Sequence, residues 1–188
     1  APGDFWIVAD TLAPRDDQPH RYESVFHLDA PGVDTESVPF GVCTQDEGGP
    51  NLGLFALAAE GLSLTVVEGQ EEPVIQGWIP LDDSTLTGVR PIPTPVFAAE
   101  RAGVAHALYV LYPVAEGPVP AVAVTPWSVP GAAPEDGASA GIAFAGGPRY
   151  RVFFAENPGR AWEVDGETAT GPFWLGRLDG GAWRRIED

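Results

Sequence analysis

Lysine and methionine are absent from this chain, cysteine occurs once, and histidine occurs three times. All ten cations are therefore arginines, set against 27 Asp and Glu for a formal net charge of −17. A surface this acidic repels polyanions, which excludes nucleic acid and anionic lipid as expected partners. Cys43 has no second cysteine in the sequence to pair with and says nothing about compartment. No apolar run approaches ~20 residues, so no membrane-spanning helix is predicted. No charged segment followed by an apolar run opens the chain, so no export signal is expected. Without a starting Met, Ala1-Pro2-Gly3 leads straight into Phe5-Trp6-Ile7-Val8, the opening expected of a domain trimmed from a longer protein. A Gly-rich phosphate loop, Cys/His metal spacing, a Gly-x-Ser-x-Gly elbow and a Ser/His/Asp set are all missing. No catalytic group, metal ligand set or cofactor is expected within this chain.

What is present is apolar sequence punctuated by turns. Hydrophobic residues make up 44% of 188 positions, and 23 Gly with 20 Pro interrupt them at short intervals. That pattern predicts one all-β domain over residues 1–188. Strands are expected at 4–12, 20–29, 38–44, 52–59, 62–69, 73–79, 95–100, 105–113, 120–125, 141–145, 149–155, 161–165, 172–178 and 182–186. Asp165-Gly166 and Asp179-Gly180-Gly181 are hairpin turns, because Asp and Gly tolerate the positive φ such turns need. Helical periodicity is nearly absent; the Ala/Leu-rich window Leu52–Leu64 holds Gly53 and Gly61 and reads as two strands around a Glu60-Gly61 turn. Alternation places Tyr22, Ser24, Phe26 and Leu28 on one face and Arg21, Glu23, Val25 and His27 on the other. Tyr150, Val152 and Phe154 likewise oppose Arg149 and Arg151. Ala107–Tyr112 is apolar on both faces, a strand buried between layers. One-faced and two-faced strands together imply an antiparallel β-sandwich of stacked sheets, supersandwich-like, with little or no helix. Residues 80–95 form a Pro-rich crossing, and 126–141 a small-residue link with the composition of a mobile segment.

Charge is uneven. Residues 149–188 hold six Arg and seven acids, net −1, whereas residues 1–148 hold four Arg and twenty acids, net −16. The final third is thus the better face for an acidic ligand, and Arg149 and Arg151 are its candidate contacts. Trp78, at a strand end before the long loop, and Trp127, between Pro126 and Ser128, are candidates for stacking on sugar rings. Trp174 and Trp183 face outward if Phe173 and Leu175 face inward. His20, Arg21, Tyr22 and His27 hold base and cation chemistry, but period 2 sets Tyr22 opposite Arg21 and His27, and the two histidines opposite each other. Asp10 is expected to cap a turn through Thr11. Cys43 lies in an apolar strand and reads as core.

Phe5–Leu12, then His20-Arg21-Tyr22-Glu23 and Phe26-His27-Leu28-Asp29, resemble a stretch in the C-terminal half of heparinase II/III-like polysaccharide lyases. Glu72–Ile79, Arg90–Val96 and Tyr109–Pro113 resemble that family's following strands, a Gly-Trp loop before a Pro-rich crossing and a strand ending in Tyr-Pro. The resemblance covers about residues 4–115. It implies stacked antiparallel sheets behind an α/α toroid, and β-elimination of acidic polysaccharide by Asn, His, Tyr and Arg at the toroid–sheet cleft. Those motifs and the family's zinc ligands lie upstream of this chain, so zinc is expected only in the parent. Of the family's pattern the positions of Asp10, Tyr22 and His27 transfer, in structural roles. Leu81-Asp82-Asp83 replaces the Tyr-Gly usual after the Gly-Trp loop, which leaves substrate preference unreadable. The resemblance favours a periplasmic or secreted setting. The expected function is that of an ancillary C-terminal domain, packing on the toroid of the same polypeptide through an exposed apolar patch and inactive alone. The alternative is a carbohydrate-binding module using exposed tryptophans.

Overall fold

A computed structural model describes residues 5–57, 61–81 and 88–186. Its strands, in chain order, are β1 (Trp6–Leu12), β2 (His20–Val25), β3 (Val33–Asp34), β4 (Gly41–Thr44), β5 (Asn51–Ala56) and β6 (Leu62–Val67). There follow β7 (Trp78–Pro80), β8 (Val89–Pro91), β9 (Thr94–Arg101), β10 (Ala105–Val114), β11 (Val122–Thr125) and β12 (Gly137–Phe144). The last are β13 (Arg149–Ala155), β14 (Trp162–Val164), β15 (Glu167–Ala169), β16 (Phe173–Asp179) and β17 (Ala182–Arg185). Among the described residues the only helical element is a 3-10 turn at Pro134–Asp136.

The strands form three stacked antiparallel layers. Sheet I, in the middle, has the order β1-β10-β5-β4-β3; sheet II is β11-β12-β13-β16-β17, and sheet III is β2-β9-β6. β10 explains the stacking. Its Leu108, Val110 and Tyr112 pack toward sheet II, against Ile142, Phe144 and Val152. Its Ala107, Tyr109 and Leu111 pack toward sheet III, against Phe97, Phe26 and Leu64. Because successive Cβ atoms of a strand point to opposite faces, a strand apolar at every position is stable only when both faces are covered. β5 follows the same rule, with Phe55 on the sheet II side and Leu54 and Ala56 on the sheet III side. β2 ends at Val25, short of the strand expected over 20–29, but the one-faced alternation runs on through Leu28: Tyr22, Ser24, Phe26 and Leu28 turn inward while Arg21, Glu23, Val25 and His27 are exposed.

Sheet II carries a further cover. The β14–β15 hairpin and residues around Val129 fold over its outer face and bury Phe153, Ala155, Trp162 and Trp174. Asp165 (φ 50°) and Gly166 (φ 86°) form the tight turn between β14 and β15, and Gly180 and Gly181 the one between β16 and β17, both with positive φ as such hairpins need.

Several expectations are corrected. Trp174 does point away from the core that takes Leu175, but it is only 2% exposed because the hairpin lies over it. Asp10 caps no turn: β1 runs on to Leu12, Asp10 pairs with Ala107, and its carboxylate accepts a hydrogen bond from the Ser24 hydroxyl at 2.9 Å. Residues 73–77 are not strand. Val74 and Ile75 are exposed, and Gln70 closes the turn by donating from Nε2 to the Val74 carbonyl at 2.9 Å. The crossing at 80–95 holds β8, which pairs with β7, and the start of β9; residues 82–87 lie outside the described residues. Residues 126–141 are not all link: Val129 is buried, and β12 begins at Gly137, where φ of 146° and the close Phe154 carbonyl leave no room for a side chain. The two strands read from Leu52–Leu64 form in different sheets, and the Glu60 part of their connection lies outside the described residues.

Candidate functional site

The site is built on the outer face of sheet II, on the part the β14–β15 hairpin leaves uncovered. Pairing of Arg149 with Ala143 and of Arg151 with Gly141 puts these four on one face. Gly176, opposite Arg151, belongs to the same face, and so does Trp183, which the β16–β17 turn sets opposite Leu178. Small residues form the floor, so larger side chains at the margins can lean over it. Trp127, from the segment after β11, and Trp183 form the walls of a cleft of about 350 Å³, which Thr125, Arg149 and Arg151 also line.

Arg151 organises these walls. Its guanidinium lies 4.2 Å from the Trp183 ring centroid and 5.2 Å from that of Trp127, and it also pairs with the Asp165 carboxylate at the hairpin tip. A guanidinium stacked on aromatic faces and bonded to a carboxylate is fixed in position while keeping its charge. Trp127 is additionally stacked near Trp174, with centroids 5.8 Å apart and planes 31° apart. Arg149 differs: it is exposed and has no ion-pair partner among the described residues. The cleft thus offers one uncommitted cation, one held cation and the half-exposed Trp183 ring, in a protein that is otherwise strongly acidic.

Three of the four predicted contact residues, Trp127, Arg149 and Arg151, therefore come together, and Trp78 does not. Trp78 is half-buried, donates from Nε1 to the Gln70 carbonyl at 3.0 Å and packs by Gly69. The fourth member is Trp183, which the sequence reading placed outward without linking it to Arg151. The signal was available, since a tight Asp179-Gly180-Gly181 turn fixes the register of β17 on β16 and hence the face of Trp183.

The other candidates assemble no common site, although the His20 and Tyr22 rings lie 6.2 Å apart. The Tyr22 hydroxyl donates to the Gly103 carbonyl at 2.8 Å, His20 bonds Asp16 at 2.7 Å, Arg21 bonds Glu23 at 2.6 Å, and His27 faces solvent. Cys43 is buried in sheet I, where burial first and the Asp34 charge second push its thiol up to about 11. No group of three His, Cys, Asp or Glu gathers among the described residues, so these residues do not fit a zinc site.

Beside the cleft, at the edge where sheets I and II meet, lies an apolar groove of about 900 Å³ that Phe40, Leu57, Val122, Val124 and Trp127 line. Phe40 is 44% exposed and adopts a positive φ of 52°, which turns its ring out over the groove. Trp127 lines both depressions. No family model, curated protein or solved structure matches this chain.

Proposed function

We propose that this chain is an ancillary β-sandwich domain of a heparinase II/III-like polysaccharide lyase, supplying a wall for an acidic sugar chain and no catalytic groups of its own. The observation that carries this reading is the dispersal of the groups a β-elimination needs. Tyr22 is tied to a backbone carbonyl, His20 and Arg21 are tied to carboxylates on their own segment, and His27 faces solvent on the side opposite His20 and Tyr22. A general base must lie within hydrogen-bond reach of the proton it removes, with a cation on the adjacent carboxylate. The three stacked layers, with sheet I covered on both faces, are also what the resemblance of residues 4–115 leads one to expect. In this reading the apolar groove of Phe40, Leu57 and Trp127, at a sheet edge, is the exposed apolar patch that receives the catalytic domain. The isolated chain should give no unsaturated uronate product from alginate, heparin or chondroitin. Growth of the product's ultraviolet absorbance with any of them overturns the proposal.

A second reading, a carbohydrate-binding module, is favoured by the convergence of Trp127, Arg149, Arg151 and Trp183 on one cleft. Trp183 can stack on an apolar sugar face while Arg149 meets a carboxylate. Affinity electrophoresis in polysaccharide gels tests it. Retardation should vanish in Trp183→Ala, weaken in Arg149→Gln and persist in Trp78→Ala; equal retardation of all three variants overturns it.

A further inference from the structure

At the opposite end of β10 from the sugar cleft, one histidine sits where sheet I meets sheet II. The His106 side chain is only 3% exposed. It pairs across strands with Thr11, and both point toward sheet II, in step with Ile7, Ala9, Leu108 and Val110. Sheet II answers with the residue just past β13: the Thr11 hydroxyl donates to the Glu156 carboxylate at 3.0 Å. His106 Nδ1 lies 3.1 Å from that same hydroxyl oxygen and 3.8 Å from Glu156. On the other side of the ring, Nε2 faces the Glu135 backbone carbonyl at 3.3 Å.

We propose that His106, as the imidazolium, is a proton-dependent tie between sheets I and II. The argument is a count of hydrogens. A carbonyl oxygen only accepts, so Nε2 must carry a proton to bond Glu135. The Thr11 hydroxyl has one hydrogen and spends it on Glu156, so it can only accept from Nδ1, which must then carry a proton too. Two donating ring nitrogens define the charged ring, and the Glu156 carboxylate supplies the opposing charge. A neutral ring can keep Nε2 bonded only by drawing the Thr11 hydrogen to Nδ1, which strips Glu156 of both its donor and its nearby cation.

The surrounding charges leave that pairing undisturbed. From β1, the Asp10 carboxylate points to the opposite face and accepts from Ser24. From the 3-10 turn, Glu135 is exposed and Asp136 is engaged by Arg160 at 2.8 Å. Asp136 also anchors this junction through its carbonyl, which accepts from the Glu156 amide at 2.9 Å. From β13, the nearest aromatic is Phe154, with ring centroids 6.0 Å apart. The tie is therefore complete while both ring nitrogens carry protons and loosens when rising pH removes one of them.

Ring nitrogen NMR of the intact chain tests this directly, with the exposed His20 and His27 as internal references. The expected result is a His106 ring protonated at both nitrogens at about pH 5.5 and at one by about pH 8. Thermal melts of wild type and His106→Gln give the second readout, since the other two histidines are common to both proteins and cancel. Between those pH values the wild-type midpoint should fall by about 2–4 °C more than that of the variant. Glu156→Gln should shrink the difference. A single neutral tautomer throughout, or parallel pH dependence in wild type and His106→Gln, overturns the proposal; should the variant not fold, the ring spectrum decides alone.

Discussion

The outer faces of sheets II and III obey the same alternation and come to opposite ends. On β2 of sheet III the outward residues Arg21, Glu23, Val25 and His27 are all exposed, and the charged ones are neutralised along their own strand, as in Arg21–Glu23. On β13 of sheet II the outward residues are Arg149, Arg151, Phe153 and Ala155. A hairpin buries the last two, and two indoles clasp Arg151. A face that exchanges its charges internally is a solvated wall. A face that holds aromatics and cations across several strands, and whose Arg149 has no ion-pair partner among the described residues, does not exchange its charges in that way. The difference lies in what lies above each sheet: among the described residues nothing covers the outward side chains of β2, whereas β14–β15 and the Trp127 segment rise over sheet II and create relief.

The comparison rests on sheet I being a core for both neighbours, and removing shared core should damage the molecule most. Phe55→Ala, at a site 1% exposed, is expected to cost about 3–5 kcal/mol in denaturant unfolding. Val25→Ala on the open face of β2 should stay within about 0.5 kcal/mol. Equal losses would mean that β2 is not the solvated wall described. The next effect separates the two outer faces. A Cβ on Gly176 would run into the Trp174 ring, which the hairpin prevents from moving away. Gly176→Ala should therefore cost about 1–3 kcal/mol and perturb tryptophan fluorescence, whereas Gly61→Ala, with open space around it but φ of 69°, should leave the fluorescence unchanged.

How much of this was legible in sequence follows from what period 2 can report. It gives faces within a strand, so the all-β stack, the two-sided burial of Ala107–Tyr112 and the one-sided burial of β2 were readable. It cannot tell how many layers lie beyond a face, which is why Trp174 was expected outside. It is also blind to short pairings: β3, β8 and β15 are two or three residues long, too short to show alternation. Asp10 misled because an acid after Trp6–Ala9 looks like a strand end; the Ser24 hydroxyl, from another sheet, is what makes an acid acceptable in mid-strand. Trp127, Arg149 and Arg151 were found by residue type and local charge, whereas their grouping with Trp183 depended on strand order across sheet II.

Smaller in effect, and aimed at the stacking of Arg151 on Trp183, is a double-mutant cycle of Arg151→Ala and Trp183→Ala. The contact is partly exposed, with Arg151 at 26% and its Asp165 partner at 19%. The expected coupling is about 0.5–1 kcal/mol. If the cycle closes at zero, the two side chains are independent, and the outer face of sheet II differs from that of sheet III in composition alone.

The smallest effects should come from one solvent-accessible carboxylate at the margin of each outer sheet, and here the two regions should become alike. On the sheet III side, hydrogen bonds from His20 and then from the Gln18 amide hold the Asp16 carboxyl below its usual range. On the sheet II side, the Arg177 guanidinium does the same for Asp179. A depressed carboxyl contributes stability only above its unfolded value, about 3.9, and loses it as pH falls through its lower folded value. The neutral-pH stability of Asp16→Asn and Asp179→Asn should therefore be slightly reduced, and the gap to wild type should close in strong acid. The Asp16 and Asp179 side chains are 57% and 42% exposed, so water and salt screen most of the interaction. Urea titrations at neutral pH and at about pH 3 should resolve little difference between the two variants. A large acid-dependent loss confined to Asp179→Asn would show that sheet II depends on the Arg177–Asp179 pair for folding, whereas sheet III does not depend on Asp16.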